Sequence, residues 1–103
     1  MKSELLKSVF QDELDRTTRL ILRFRAELET LPKGSVFKRK IGNQEYFYLN
    51  YREGNKVVSK FLGNAKDFQT EELEQQLKKR KELSAVLKKL NADKKALEKE
   101  LSK

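Results

Sequence analysis

The largely apolar positions in the first third of the chain follow a helical spacing. They recur in steps of three and four residues and are Leu6, Phe10, Leu14, Thr17, Ile21, Phe24, Leu28 and Leu31. Such spacing places them on one face of an α-helix. Ser3 is suited to cap the start of this helix, and Pro32 cannot continue it. The pattern therefore predicts a long helix within residues 1–31.

Residues 33–63 change to the signals of a β-meander. This stretch holds all three tyrosines and all four glycines of the chain. Gly42-Asn43 and Gly54-Asn55 each separate runs of β-branched and aromatic residues, and both residue types tolerate the positive φ of a tight hairpin. The pattern predicts three antiparallel strands, at about residues 35–41, 45–52 and 56–62.

The register of these strands depends on the length of the two loops. On the middle strand, Phe47, Leu49 and Tyr51 alternate with Tyr46, Tyr48, Asn50 and Arg52. Three-residue loops would place Phe37, Ile41, Val57 and Phe61 beside Phe47, and Lys38, Lys40, Lys56 and Lys60 beside Tyr46. We prefer these loops because they sort the sheet into an apolar face and a basic, aromatic face. Two-residue loops would instead move the side chains of the outer strands to the opposite face of the sheet.

A leucine seam predicts a second long helix within residues 67–103, capped by Asp67 or Thr70. The seam consists of Leu73, Leu77, Arg80, Leu83, Leu87, Leu90, Lys94, Leu97 and Leu101. Its coiled-coil character predicts a homodimer in which the seams of two copies pack together. The alternative to this dimer is an intramolecular arrangement, in which the first helix of the same chain covers the seam. The expected fold is α+β, a single domain over residues 1–103 with the three-stranded antiparallel meander between two helices.

The composition argues against an enzyme. The chain has no cysteine and no histidine, which removes thiolate ligands and the commonest general base and metal ligand. Its glycines form no phosphate-binding loop, and its carboxylates fall where helix pairing explains them. We expect no catalytic residue, metal or cofactor. No apolar run approaches the roughly 18 residues of a membrane span. The acidic N-terminal stretch does not read as a signal peptide, so we expect a cytoplasmic protein without a membrane partner.

The net charge of +8 is concentrated on the meander. Residues 33–66 carry eight basic and two acidic side chains, whereas residues 1–32 are neutral. Basic residues interleaved with tyrosines suit a polyanion, because cations neutralise phosphates and rings stack on bases. The predicted nucleic-acid-binding residues are Lys33, Lys38, Arg39, Lys40, Tyr46, Tyr48, Arg52, Lys56 and Lys60. The structural alternative is that the tyrosines pack beneath a helix while the lysines extend to solvent.

Residues 28–90 also resemble a family of small uncharacterised bacterial and phage proteins. The shared pattern is LP-x-GS, a YYYL-like strand and a GK-type hairpin between two helices. It is carried by Leu31, Pro32, Gly34, Ser35, Tyr46, Tyr48, Leu49, Gly54 and Lys56. The resemblance implies a helix–meander–helix fold. Many members have cysteines between the first two strands, so any metal-linked role does not transfer to this chain.

The meander and the helix after it are similar to the arm-type DNA-binding domain of tyrosine integrases. That similarity implies that the sheet contacts DNA. The expected function is a small DNA-binding accessory protein of a bacterium or mobile element such as a phage, with DNA favoured over RNA. The alternative is a protein-binding module that recognises an acidic protein surface, as a phage inhibitor of a host system or a helical scaffold would.

Overall fold

The computed structural model describes residues 3–103 and has the predicted α+β order. Its elements are α1 (Glu4–Glu29), β1 (Ser35–Ile41), β2 (Gln44–Glu53), β3 (Lys56–Asn64) and α2 (Glu71–Leu101). The chain divides into two compact units. The helical unit contains the residues up to Thr30 together with residues 81–103, and the sheet unit contains residues 31–80.

Both predicted helix starts are confirmed. The Ser3 hydroxyl accepts a hydrogen bond from the Leu6 backbone N–H at 3.2 Å, which satisfies one of the donors left open in the first turn of α1. The α2 helix begins immediately after Thr70, whose carbonyl oxygen accepts the Glu74 N–H at 2.8 Å. Three glutamates in the first turn of α2 complement the positive end of the helix dipole.

The helical unit buries the middle of the apolar stripe on each of its two helical segments. Ile21 of α1 is 4% exposed and Leu87 of α2 is 6% exposed, a degree of burial that an isolated helix cannot provide. Leu83 and Leu90, on the same stripe as Leu87, are half-buried. The leucine seam is therefore shielded within one chain, as in the intramolecular arrangement. The homodimer through α2 stays a prediction.

One ion pair lies on the exposed surface of α1. The Arg16 guanidinium donates to the Glu13 carboxylate at 3.0 Å. This hydrogen bond holds the pKa of Glu13 below its ordinary value. Because both groups are fully exposed, the pair belongs to the solvated surface of the helix.

The three strands form an antiparallel sheet in the order β1-β2-β3, and both loops have two residues. Gly42 and Gly54 open the loops with φ of 63° and 61°. Within residues 3–103, no residue other than glycine has a positive φ. Positive φ at the first loop position alone is the pattern of a type II′ turn, whose twist matches that of the adjoining strands.

The two-residue loops overturn the predicted sides of the outer strands. Phe37 lies opposite Tyr48 rather than on the side of Phe47. Phe61 also lies opposite Tyr48. The expectation that Phe37, Ile41, Val57 and Phe61 share a face with Phe47, Leu49 and Tyr51 is therefore wrong. Each loop is one residue shorter than expected, and a one-residue slip moves every side chain of a strand to the other face.

A β-bulge shifts the pairing of β2 and β3 once more. Phe47 lies opposite Gly63, but the next residue, Tyr48, lies opposite Phe61. Leu62 is the additional residue, which realigns the end of β3. The Phe68 ring, with its centroid 6.4 Å from that of Phe47, packs close to Gly63.

The core of the sheet unit lies on the side of Leu49. Leu49 and Leu77 are each 7% exposed, and Val36 and Val58 are half-buried. The Arg80 guanidinium donates to the Leu31 carbonyl oxygen at 2.9 Å, which ties the first part of α2 to the segment that precedes the sheet.

Leu49→Ala should destabilise the sheet unit by about 2–5 kcal/mol, because it removes a buried side chain and leaves a cavity. Val57→Ala, on the opposite face, is the matched control. Val57 is 65% exposed, so this change should cost roughly 0.5 kcal/mol or less. Urea unfolding followed by circular dichroism measures both. Equal costs would show that the assignment of the two faces is wrong.

Gly34→Ala should destabilise more than Gly42→Ala. A Cβ at Gly34 would lie 2.2 Å from the Asn50 carbonyl oxygen, and the φ of 116° already disfavours any other residue. At Gly42 nothing lies within 4 Å of the added Cβ, so only the positive φ opposes the change, at about 1–2 kcal/mol. Thermal unfolding of the two variants tests this order. A smaller decrease in melting temperature for Gly34→Ala than for Gly42→Ala would contradict it.

Candidate nucleic-acid interface

The observed register gives the sheet two chemically different faces. The aromatic face consists of Phe37, Arg39, Ile41, Tyr46, Tyr48, Asn50, Arg52, Val57, Ser59 and Phe61. The lysine face consists of Val36, Lys38, Lys40, Glu45, Phe47, Leu49, Tyr51, Glu53, Lys56, Val58 and Lys60. Of the residues on these two faces, Leu49 alone is buried, and it lies on the lysine face.

Four rings form a continuous group on the aromatic face, with members from all three strands. Phe37 and Tyr48 are stacked, with centroids 5.4 Å apart and planes at 23°. Phe61 meets Tyr48 edge-on at 5.6 Å and lies 5.8 Å from Tyr46. These contacts link β1 to β3 through the two tyrosines of β2 and hold the rings in fixed positions relative to one another.

The aromatic face is open to solvent despite its apolar character. Phe61 is 56% exposed and Ile41 is 50% exposed, whereas Phe37, Tyr46 and Tyr48 are half-buried by one another and by the sheet. Neighbouring apolar side chains that remain exposed across three strands are typical of a binding surface.

The charges on the aromatic face are all positive. Arg39 lies directly opposite Tyr46, and Arg52 lies directly opposite Val57. Both arginines are exposed. The two glutamates of the meander, Glu45 and Glu53, are on the lysine face. Nothing acidic on the aromatic face therefore offsets the attraction of the arginines for an anion.

Two side-chain hydrogen bonds order polar groups in the sheet. The Ser59 hydroxyl donates to Oδ1 of Asn50 across β2 and β3 on the aromatic face. The Asn64 amide donates to Oε1 of Gln44 at 2.8 Å. Oδ1 of Asn50 thus accepts one hydrogen bond, and the side-chain NH₂ group of Asn50 can donate to a ligand.

The lysines of the opposite face cover its core. Lys38 Nζ lies 5.6 Å from the centroid of the Phe47 ring and 3.6 Å from the Glu45 carboxylate. Lys33, in the segment before β1, places its Nζ 6.0 Å from the centroid of Tyr51. Each ammonium group thus lies over an aromatic ring, and the Lys38 side chain is nevertheless 52% exposed.

A shallow cleft of about 200 Å³ opens on the lysine face. It is lined by Pro32, Lys33, Leu49, Tyr51 and Lys60. This volume is below the roughly 300–1,000 Å³ of pockets that enclose a drug-sized ligand. The cleft has room for a side chain or a small anion.

The structure brings together only part of the predicted site. Arg39, Tyr46, Tyr48 and Arg52 share the aromatic face, whereas Lys38, Lys40, Lys56 and Lys60 lie on the other side of the sheet. Lys33 lies beside Tyr51. Phe37 and Phe61 belong to the aromatic face and were absent from the prediction. The signal that identifies them is Gly-Asn at each turn, which suits a two-residue loop.

The described part of the chain offers neither a metal site nor a membrane-spanning helix. Within residues 3–103, no three acidic side chains are grouped so as to hold a metal ion. Neither α1 nor α2, as described over these residues, combines the length and apolar character needed to cross a membrane.

Residues 10–75 match a family described as a domain of unknown function, DUF6788. The match covers more than half of the chain, so the chain belongs to this family. It extends from α1 through the sheet to the start of α2 and includes the LP-x-GS segment. Membership confirms the expected relation to an uncharacterised family, whose description assigns no activity. No curated protein and no solved structure matches the chain significantly.

Proposed function

We propose that this protein is a small nucleic-acid-binding accessory protein and that the aromatic face of its sheet is the binding surface. The observation that carries the proposal is the grouping of four rings and two arginines on one exposed face without a carboxylate. Arginines neutralise phosphates, and rings contact bases and sugars. We also propose a non-enzymatic, cytoplasmic role as an accessory of a mobile element, which rests on the composition and on the resemblance noted in the sequence.

The charge distribution supports a polyanion as the ligand. Residues 33–66 contribute six of the eight net positive charges of the chain. Lys40 on β1 and Lys56 on β3 are exposed on the two outer strands. They extend the positive potential around the edges of the sheet, and this potential acts over a Debye length of about 8 Å at physiological salt.

A protein partner is the second candidate function. The exposed Phe61 and the half-buried tyrosine rings that it contacts form an apolar patch that would also suit a protein with an acidic rim. A homodimer through α2 has less apolar surface to use, because the seam around Leu87 is shielded within the chain.

Charge reversal on the aromatic face tests the proposal. The double variant Arg39→Glu/Arg52→Glu should weaken binding to a labelled oligonucleotide and reduce the slope of log affinity against log salt by about 1.5, the effect of two lost phosphate contacts. Fluorescence anisotropy between 50 and 200 mM salt measures both quantities.

Two double variants with the same change in net charge serve as controls. Lys38→Glu/Lys40→Glu alters the lysine face of β1, and Lys88→Glu/Lys89→Glu alters α2. Both should weaken binding less than the arginine pair. A larger effect of the Lys38 and Lys40 pair would move the interface to the lysine face. Absence of binding by the unaltered protein at 50 mM salt would reject nucleic acid and favour an acidic protein partner.

A further inference from the structure

We infer that the aromatic face binds single-stranded nucleic acid, with unpaired bases stacked on its rings. This inference rests on the proposed function and names its ligand class. Three features of the face support it: the exposed rings, the positions of the two arginines and the small number of polar groups between these arginines.

The rings offer stacking surfaces that the protein itself does not cover. Phe61 contacts both tyrosines and is nevertheless 56% exposed, so part of its ring faces solvent. Tyr48 already has Phe37 on one side and Phe61 at its edge. The group is thereby held in place before a ligand arrives, which limits the entropy lost when a base stacks on it.

A duplex is a poor match for this surface. Paired bases are stacked on one another and present only their edges in the grooves, where amides and charged groups read them. The middle of the aromatic face presents mainly hydrocarbon and ring surface, with Asn50 as its central amide. Aromatic rings contribute most when bases are unpaired and can leave their own stack.

The arginines are placed to hold the nucleic-acid backbone at two points, with Arg39 beside the ring group and Arg52 four residues beyond Tyr48. Arg39 lies opposite Tyr46, and Arg52 lies six residues further along β2. This separation corresponds to about 20 Å along a strand. Sheets that recognise single strands stack about two or three bases on their rings. The face therefore has room for a short single-stranded segment between two phosphate contacts.

The experiment compares a 12-nucleotide single-stranded DNA, the corresponding RNA and the duplex DNA of the same sequence at 100 mM salt. Fluorescence anisotropy should show single strands binding about tenfold or more tightly than the duplex. The chain has no tryptophan, and Tyr51 is its one tyrosine outside the aromatic face, so quenching of tyrosine fluorescence in a Tyr51→Phe variant reports stacking at Tyr46 or Tyr48. A preference for DNA or for RNA identifies the source of the single strand, and either supports the inference.

A pair of variants at one position separates stacking from general packing. Phe61→Leu should weaken single-strand binding about tenfold because it removes a ring. Phe61→Tyr keeps the ring and should bind within about twofold of the unaltered protein. Position 61 is exposed, so both variants should fold, and circular dichroism checks this.

The outcomes distinguish this inference from the proposed function. Equal or tighter binding to the duplex, with no loss in Phe61→Leu, would overturn the single-strand inference and leave nucleic-acid binding in place. No binding to any of the three oligonucleotides at 50 mM salt would overturn both.

Discussion

The register of the sheet depends on two short turns. Gly42 and Gly54 adopt the positive φ that lets each hairpin close in two residues. Because strand side chains alternate between faces, this loop length decides which side chains meet across the sheet. It places Phe37 and Phe61 beside Tyr48 and leaves Leu49 on the opposite, buried side. The length of the two loops therefore determines which residues lie on each face of the sheet.

The two faces perform different physical tasks. The lysine face stabilises the fold, because Leu49 is buried there and the Lys38 ammonium group lies over the Phe47 ring. The aromatic face retains exposed rings that contribute less to the core. A small sheet that leaves Phe61 56% exposed and Ile41 50% exposed gives up burial that would have stabilised it, at about 25 cal/mol per Å² of apolar surface. A ligand that covers these rings accounts for such an arrangement, and the positive, carboxylate-free surroundings favour a nucleic acid.

Most of the fold could be predicted from the sequence, but the composition of the aromatic face could be predicted only in part. Helical spacing, the Ser3 cap and Pro32 located α1, and the strand bounds were accurate to within about two residues. The error in the predicted register came from the assumption that the lysines share a face of the sheet with Tyr46 and Tyr48. A lysine such as Lys38 can lie over Phe47 on the core side and still reach solvent, so its charge does not determine its face. The bulge at Leu62 was not predicted, because the strand pattern does not establish where an extra residue enters the pairing of β2 and β3.

The most direct test of this account is the pattern of nuclear Overhauser effects between ring protons in solution. The observed register predicts strong effects between Phe37 and Tyr48 and between Tyr48 and Phe61, whose ring centroids lie 5.4 and 5.6 Å apart. Three-residue loops would instead turn Phe37 and Phe61 toward the side of Phe47. Ring contacts of Phe37 or Phe61 with Phe47, and none with Tyr48, would contradict the assignment of the aromatic face and the binding surface proposed on it.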